Sequence, residues 1–366
     1  MTERYIGLMS GTSLDGVDAV LLCMDEHGRP HVEADSFLPF PDSIKQQVLA
    51  LQAVGNNELD RAAQLGNALA RLYAEVVARL LAACALPAAA IRAIGCHGQT
   101  IRHAPHEGYT LQIGNAALLA ELSGIDVIAD FRSRDVAAGG HGAPLVPAFH
   151  QDIFASDAEN RVILNIGGIS NLTRLAKNLP TCGFDCGPGN MLLDAWCQLH
   201  TGAAYDADGN WAASGQLHPA LLQQMLADAY FRQQPPKSTG RDLFSLEWLQ
   251  QQLATQPPIA PQDVQHSLLQ LTAISIAHDI HRYCPDTASI YVCGGGALNR
   301  ALMQALQQQL PAIAIHSTAE IGLPANQVEA AAFAWLAWRF CHRLPANLPE
   351  VTGAAGLRVL GALYPA

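Results

Sequence analysis

Residues 5–22 read YIGLMSGTSLDGVDAVLL. An apolar run, Tyr5 to Met9, leads into the polar glycine-rich turn SGTSLDG, and a second apolar run leaves it from Val17 toward Met24. The pattern is strand, tight turn, strand. Small residues at Gly11, Thr12, Ser13 and Gly16, with Leu14, Asp15 and Val17 between and after them, let backbone come close to an anion. Successive N–H groups and hydroxyls can then turn toward its oxygens. Asp18 opens the outgoing strand, where a carboxylate could hold Mg²⁺ directly or through water. An ordinary hairpin is the alternative reading, because Asp-Gly is itself a strong turn signal. The P-loop spacing GxxxxGK[ST] occurs nowhere in the chain, so that nucleotide class is set aside.

The same design returns in the second half. Arg161 to Leu175 runs strand, then NIGGISN, then strand, with Gly167 and Gly168 giving backbone access and Ser170 and Asn171 giving polar side chains. Two such hairpins, each early in its half of the chain, imply two similar domains facing each other across a cleft, able to clamp a polyphosphate between them. The first domain is expected over 1–130, with the chain end, 344–366, returning to it, and the second over 131–343. A third cluster, CGGGALN, places Gly294, Gly295, Gly296 and Asn299 between a buried strand and a helix. The spacing GxGxxG with a following acid is not met, which leaves a glycine wall against a flat base, phosphates beside a helix N-terminus, or a bare strand-to-helix turn. Apolar runs at Tyr5–Met9, Val17–Met24, Ile91–Gly95, Val127–Ala129, Val162–Ile166 and Ile290–Cys293 read as strands. Between them lie helical stretches, the longest at Leu59–Ala83 and Val264–Tyr283. Strands alternating with helices of this length specify a mixed α/β fold.

Composition narrows the function classes. The 366 residues are 50% hydrophobic and 14% charged, ample for a core, which excludes a disordered chain. A net charge of −11 opposes nucleic-acid binding over most of the surface. The N-terminus lacks signal-peptide character, and no run approaches the roughly 18 apolar residues that cross a bilayer. The nine cysteines include no CxxC pair. Together these point to a cytoplasmic protein with neither membrane nor nucleic-acid partners.

The acceptor side of the chemistry has one outstanding candidate. In GFDCGPGN, Gly183 to Asn190, a single carboxylate, Asp185, lies among glycines that fix the backbone without covering it. It can serve as a general base, or merely bond turn amides. HGQT contributes His97 and Gln99 just after a strand, and DFRSRD contributes Arg132, which suits a carboxylate ligand or a surface ion pair. Glu329 begins the apolar helix VEAAAFAWLAWRF, where it either complements the helix dipole or faces a site.

GLMSGTSLDGVDAVL, HGQT, LQIGN, DFRSRD, GAPLVP, NIGGISN, FDCGPGN with MLLDAW, CGGGALN and VEAAAFAWLA occur in one order. That ordered set resembles the anhydro-N-acetylmuramic acid kinase family over nearly the whole chain. The resemblance implies a two-domain actin-like (ribonuclease H-like) ATPase fold with an interdomain cleft, within the sugar kinase, heat-shock protein and actin superfamily. It implies ATP and Mg²⁺ as cofactors, an amino-sugar substrate and commonly a homodimer. The family's reaction opens the 1,6-anhydro bridge with water and places phosphate on O6, giving N-acetylmuramic acid 6-phosphate in cell-wall turnover. By the family motif, Gly11 to Asp18 matches the ATP phosphate site, Asp185 the base that activates water, and Glu329 an acid of the sugar site. Cys186 stands where the family often has Thr, and Ala325-Asn326 where it often has Pro-Asp. A kinase for another sugar or small carboxylic acid, or an actin-like or chaperone-like ATPase, are the rival readings.

Overall fold

In the computed structural model, which describes residues 2–11, 13–25, 28–240 and 243–366, the opening hairpin forms the middle of a sheet. β1 (Glu3–Met9) and β2 (Gly16–Met24) pair antiparallel, with Tyr5 opposite Leu22 and Met9 opposite Asp18. β3 (Pro30–Pro39) adds antiparallel to β2. On the other side β4 (Ala93–Cys96) runs parallel to β1, β7 (Val127–Ala129) parallel to β4, and β13 (Ala362–Tyr364) closes the edge antiparallel to β7. The hairpin of β5 (Gln99–Ala104) and β6 (Tyr109–Ile113) stands apart as a two-stranded sheet.

A second sheet repeats the plan. β8 (Arg161–Ile166), β9 (Ile169–Leu175) and β10 (Cys182–Pro188) form an antiparallel meander. β11 (Ser289–Cys293) runs parallel to β8, and β12 (Ala314–Ser317) parallel to β11. The orders are β13-β7-β4-β1-β2-β3 and β10-β9-β8-β11-β12. Without the edge strand β13, each sheet reads third, second, first, fourth, fifth, with only its second strand reversed.

The chain divides into two compact units, Met1–Ile153 with Gln327–Ala366, and Phe154–Asn326. The first therefore extends past the boundary expected near 130, and the return to it begins at 327 rather than 344. The physical reason is the helix Val328–Cys341, which packs on the first sheet. A Cβ on Gly7 would sit 1.8 Å from the Ala330 carbonyl oxygen, and one on Gly95 would sit 2.0 Å from that of Phe333. Gly7 and Gly95 are direct partners across β1 and β4. The glycine that interrupts the first apolar run thus lets a helix backbone lie on the sheet, and the alanines of VEAAAFAWLAW shorten the approach further.

Each unit has its own core. In the first, Ile6, Leu8, Val17, Leu21, Ile94 and Val127 from the sheet meet Leu65, Leu69, Tyr73 and Val76 of the helix Glu58–Ala83. In the second, Val162, Leu164 and Ile290 meet Leu268, Leu271 and Ile276 of the helix Pro261–Tyr283. Burying each such aliphatic side chain contributes about 1.5–3 kcal/mol relative to exposure. Among the described residues no helix is long and apolar enough to cross a membrane.

Candidate functional site

In the first unit the turn between β1 and β2 is braced by the Gly98 carbonyl and the side chains of Gln99 and Tyr73. Ser10 Oγ donates to the Gly98 carbonyl at 3.1 Å and lies 2.9 Å from the Tyr73 hydroxyl. Gln99, fully buried, donates from Nε2 to the Gly11 carbonyl at 3.3 Å. Leu14 takes a positive φ of 62°, and its N–H closes the turn on Gly11 O at 3.3 Å. The Leu14 side chain is buried, whereas Ser13 and Asp15 are exposed, so the turn is anchored by its apolar residue and presents its polar ones. A Cβ on Gly16 would approach the Leu38 carbonyl to 2.3 Å, and Val17 is core. Thr12 lies outside the described residues.

Beside this turn lies a charged cluster. Arg132 donates from Nε (3.2 Å) to His97 Nε2, whose distance to Nη2 is 2.9 Å, and from Nη1 to the Gly142 carbonyl at 2.8 Å. Burial, reinforced by Arg132, pushes His97 down to about 3, so its imidazole is neutral and Nε2 accepts. Burial also lowers Arg132 to about 10, with Glu329 and Asp135 opposing the shift, and the guanidinium stays charged. Burial raises Glu329, against the pull of Arg132. Asp18 is pushed up to about 7, first by burial and then by the negative charges of Glu329, Asp15 and Asp35. The structure thus brings Asp18, expected at the phosphates, and His97, Gln99, Arg132 and Glu329, expected at the sugar, around one turn. Asp135, fully buried, accepts from Asn347, Thr352 and the Gly142 N–H at 2.7–2.8 Å and fixes the loop that holds Arg132.

In the second unit three glycine segments converge. The Gly167 carbonyl accepts from Asn190 N–H at 2.8 Å, and the Gly168 carbonyl from Gly189 and Met191 at 2.9 and 3.1 Å. These amides begin the helix Asn190–Thr201, so its N-terminal donors are taken by the NIGG turn. A Cβ on Gly189 would lie 2.3 Å from Gly167 O, and one on Gly294 2.4 Å from Asn165 Oδ1; Gly295 lies against Asn190 and Gly296 against Ile166. Backbone packs on backbone at Gly167, Gly168 and Gly189, whereas the side chains of Asn165, Asn190 and Ile166 pack on the segment Gly294–Gly296. The Asn299 side chain, expected beside the nucleotide, caps the helix Arg300–Gln309 through Oδ1, which accepts from Leu302 N–H at 3.0 Å.

Asp185 sits in β10, opposite Asn171 of β9, at a bulge between Asp185 and Gly187. The sequence showed a glycine-rich turn here and missed the strand, because its glycines carry no β propensity. Asp185 Oδ2 accepts from Thr239 N–H at 2.9 Å, its N–H donates to the Lys237 carbonyl at 3.1 Å, and its carbonyl accepts from the Tyr230 hydroxyl at 2.7 Å. Burial pushes the carboxyl up to about 6, with the Thr239 amide and the Lys237 charge working against it. A carboxylate at that value is ionised near neutrality yet basic enough to take a proton. In sequence, residues 233–241, with two prolines, Ser, Thr and Gly, read as a plain loop that gives no sign of Lys237 or Thr239. A lone lysine in a polar stretch carries no signal that it is buried.

Two copies of one strand order, each with a glycine-lined turn after its first strand, define an actin-like α/β phosphotransferase fold. The chain belongs to the anhydro-N-acetylmuramic acid kinase family, whose model matches residues 3–366. An anhydro-N-acetylmuramic acid kinase of Chromobacterium violaceum is 61% identical over 366 residues, covering all of both chains. One from Variovorax paradoxus is 55% identical over 373 residues, covering 100% of this chain and 99% of that one. Among solved structures, the activator of the 2-hydroxyisocaproyl-CoA dehydratase from Clostridium difficile with bound ADPNP aligns at 12% identity with a TM-score of 0.47, covering 93% of this chain and 96% of that one.

Proposed function

We propose that this chain is an ATP-dependent kinase that opens 1,6-anhydro-N-acetylmuramic acid with water and phosphorylates O6, giving N-acetylmuramic acid 6-phosphate for peptidoglycan recycling. Full-length identity of 61% to a kinase of that name carries the reading. The site residues add its chemistry. Asp185 is our candidate catalytic residue. It takes a proton from the water that attacks C1; the C1–O6 bond breaks, and O6 leaves with the electron pair that then bonds the γ-phosphorus of ATP, as the bond from that phosphorus to the β,γ-bridging oxygen breaks and ADP departs.

The turn Gly11 to Asp18 is the candidate phosphate site, with Gly167, Gly168 and the segment Gly294–Gly296 as candidate nucleotide contacts. Asp18 is the candidate Mg²⁺ contact: the negative charges of Glu329, Asp15 and Asp35 act on it, a repulsion that positive charge relieves, and because no group of three or more His, Cys, Asp or Glu among the described residues is arranged to hold a metal, the phosphates and water would supply the other ligands. When bound there with ATP, Mg²⁺ would neutralise phosphate charge. His97, Gln99, Arg132 and Glu329 are the candidate sugar contacts, Arg132 offering a charged fork suited to a carboxylate. A cytoplasmic location and a homodimer complete the proposal on family resemblance; light scattering of the purified protein tests the dimer.

The substrate is tested by incubating the protein with ATP, Mg²⁺ and a panel of sugars while following ADP release. Turnover confined to 1,6-anhydro amino sugars is expected. Equal turnover of open-ring hexoses or small carboxylic acids would replace the assignment with another kinase of this fold.

A further inference from the structure

Beneath Asp185 lies a buried ion pair that the proposed chemistry does not use. Lys237 Nζ stands 2.7 Å from Asp279 Oδ2, with side chains 1% and 2% exposed. The ammonium also lies over two aromatic faces, 5.1 Å from the Tyr230 ring centroid and 5.8 Å from that of Phe184. Removing two charges from water costs several kcal/mol per ion before their attraction repays it, and an apolar pair of similar volume often stabilises as well. Stability is thus a weak reason for such a pair.

Its placement supplies a stronger one. Lys237 belongs to the segment whose backbone grips Asp185 from two sides: the Lys237 carbonyl holds the Asp185 N–H, and the Thr239 N–H holds Oδ2. Tyr230, whose ring carries the ammonium, donates its hydroxyl to the Asp185 carbonyl. One cation therefore ties together both neighbours of the candidate base and anchors them to Asp279 on the helix Pro261–Tyr283.

We propose that Lys237, anchored by Asp279, is a positioning residue for Asp185, fixing the segment 237–239 against its carboxylate and placing an ammonium beside it. The proposal rests on the reading of Asp185 as the base. Among the described residues, the titratable and charged groups around Asp185 are Lys237 and Tyr230 from the segment 229–239, Cys186 on its own strand, and Asp279, His278 and Cys284 from the helix and its end. Lys237 is the buried cation of this set. It favours the ionised carboxylate, whereas burial favours the protonated one.

The test is the pH profile of kcat for the full-length double variant Lys237→Met/Asp279→Leu, with ATP binding measured on the same sample to show that it folds. Loss of the cation is expected to move the acidic limb up by about one pH unit, a roughly tenfold fall in kcat on that limb that recovers as pH rises. KM for ATP should stay as in wild type. Lys237→Arg should leave the limb in place. Where the double variant does not fold, Asp279→Asn tests the anchor: a buried ammonium without its carboxylate is driven toward its neutral form, so the limb should move up as in the double variant. A folded double variant whose kcat falls equally at all pH values, or an Asp279→Asn limb that does not move, overturns the proposal. Failure of the base reading is separate: it appears as activity retained in Asp185→Asn with Lys237 intact.

Discussion

The two units share a strand order and differ in how they hold a carboxylate. In the first, Asp18 is raised to about 7 by burial among like charges, Glu329, Asp15 and Asp35. In the second, Asp185 is raised only to about 6, because a backbone amide and the Lys237 cation oppose its burial. The turns differ in the same sense. Ser10–Asp18 is braced by the side chains of Gln99 and Tyr73, while the Gly167–Gly168 turn is braced by backbone packed on backbone. A duplicated topology therefore fixes where two turns fall and leaves each free to acquire its own electrostatics: one carboxylate is crowded by like charges, the other lies beside a cation.

The largest effect expected from breaking this contrast is at Asp185. Asp185→Asn should lower kcat by about 10²–10⁴-fold while ATP binding, measured by calorimetry, persists, since a base acts in the transition state more than in nucleotide association. Near wild-type turnover would remove it from the mechanism.

The glycines separate ligand from fold. Around Gly11 a Cβ would find its nearest neighbour at 3.7 Å, an ordinary contact, whereas on Gly189 it would meet backbone oxygen at 2.3 Å. Gly11→Ala should keep the wild-type melting temperature and weaken ATP binding about tenfold, because only an approaching phosphate meets the added methyl. Gly189→Ala should instead lower the melting temperature. The reverse pattern would mean that the first turn does not contact nucleotide.

Smallest is the charge effect at Asp18. A carboxyl whose folded value exceeds its unfolded one binds its proton more tightly when folded, so this contribution to stability is present at low pH and is lost as pH rises from about 4 through about 7. Asp18→Asn should raise the melting temperature by a few degrees at pH 8 and leave it unchanged at pH 4, in protein without nucleotide. An equal shift at both pH values would deny that charge crowding is the cause.

Much of this was legible in the sequence because periodicity and glycine spacing are local. The strands at Tyr5, Val17, Ile91, Val127, Val162 and Ile290 and the two hairpins stand where the apolar runs put them. What escaped is non-local. β3, with its alternating EADS stretch, is half-exposed and has no apolar run; β10 is masked by its glycines. The unit boundary depends on the helix Val328–Cys341 crossing back to β1 and β4, which only the Gly7–Gly95 pair records and only once the register is known. Lys237 acquires meaning from Asp279, 42 positions away in the chain.

The mass of the sugar product tests the central claim most directly. With ATP, Mg²⁺ and 1,6-anhydro-N-acetylmuramic acid, the account predicts a product heavier than its substrate by one phosphoryl group plus one water, formed in step with ADP. A product heavier by the phosphoryl group alone, or ADP formed while the anhydro sugar stays intact, would contradict it.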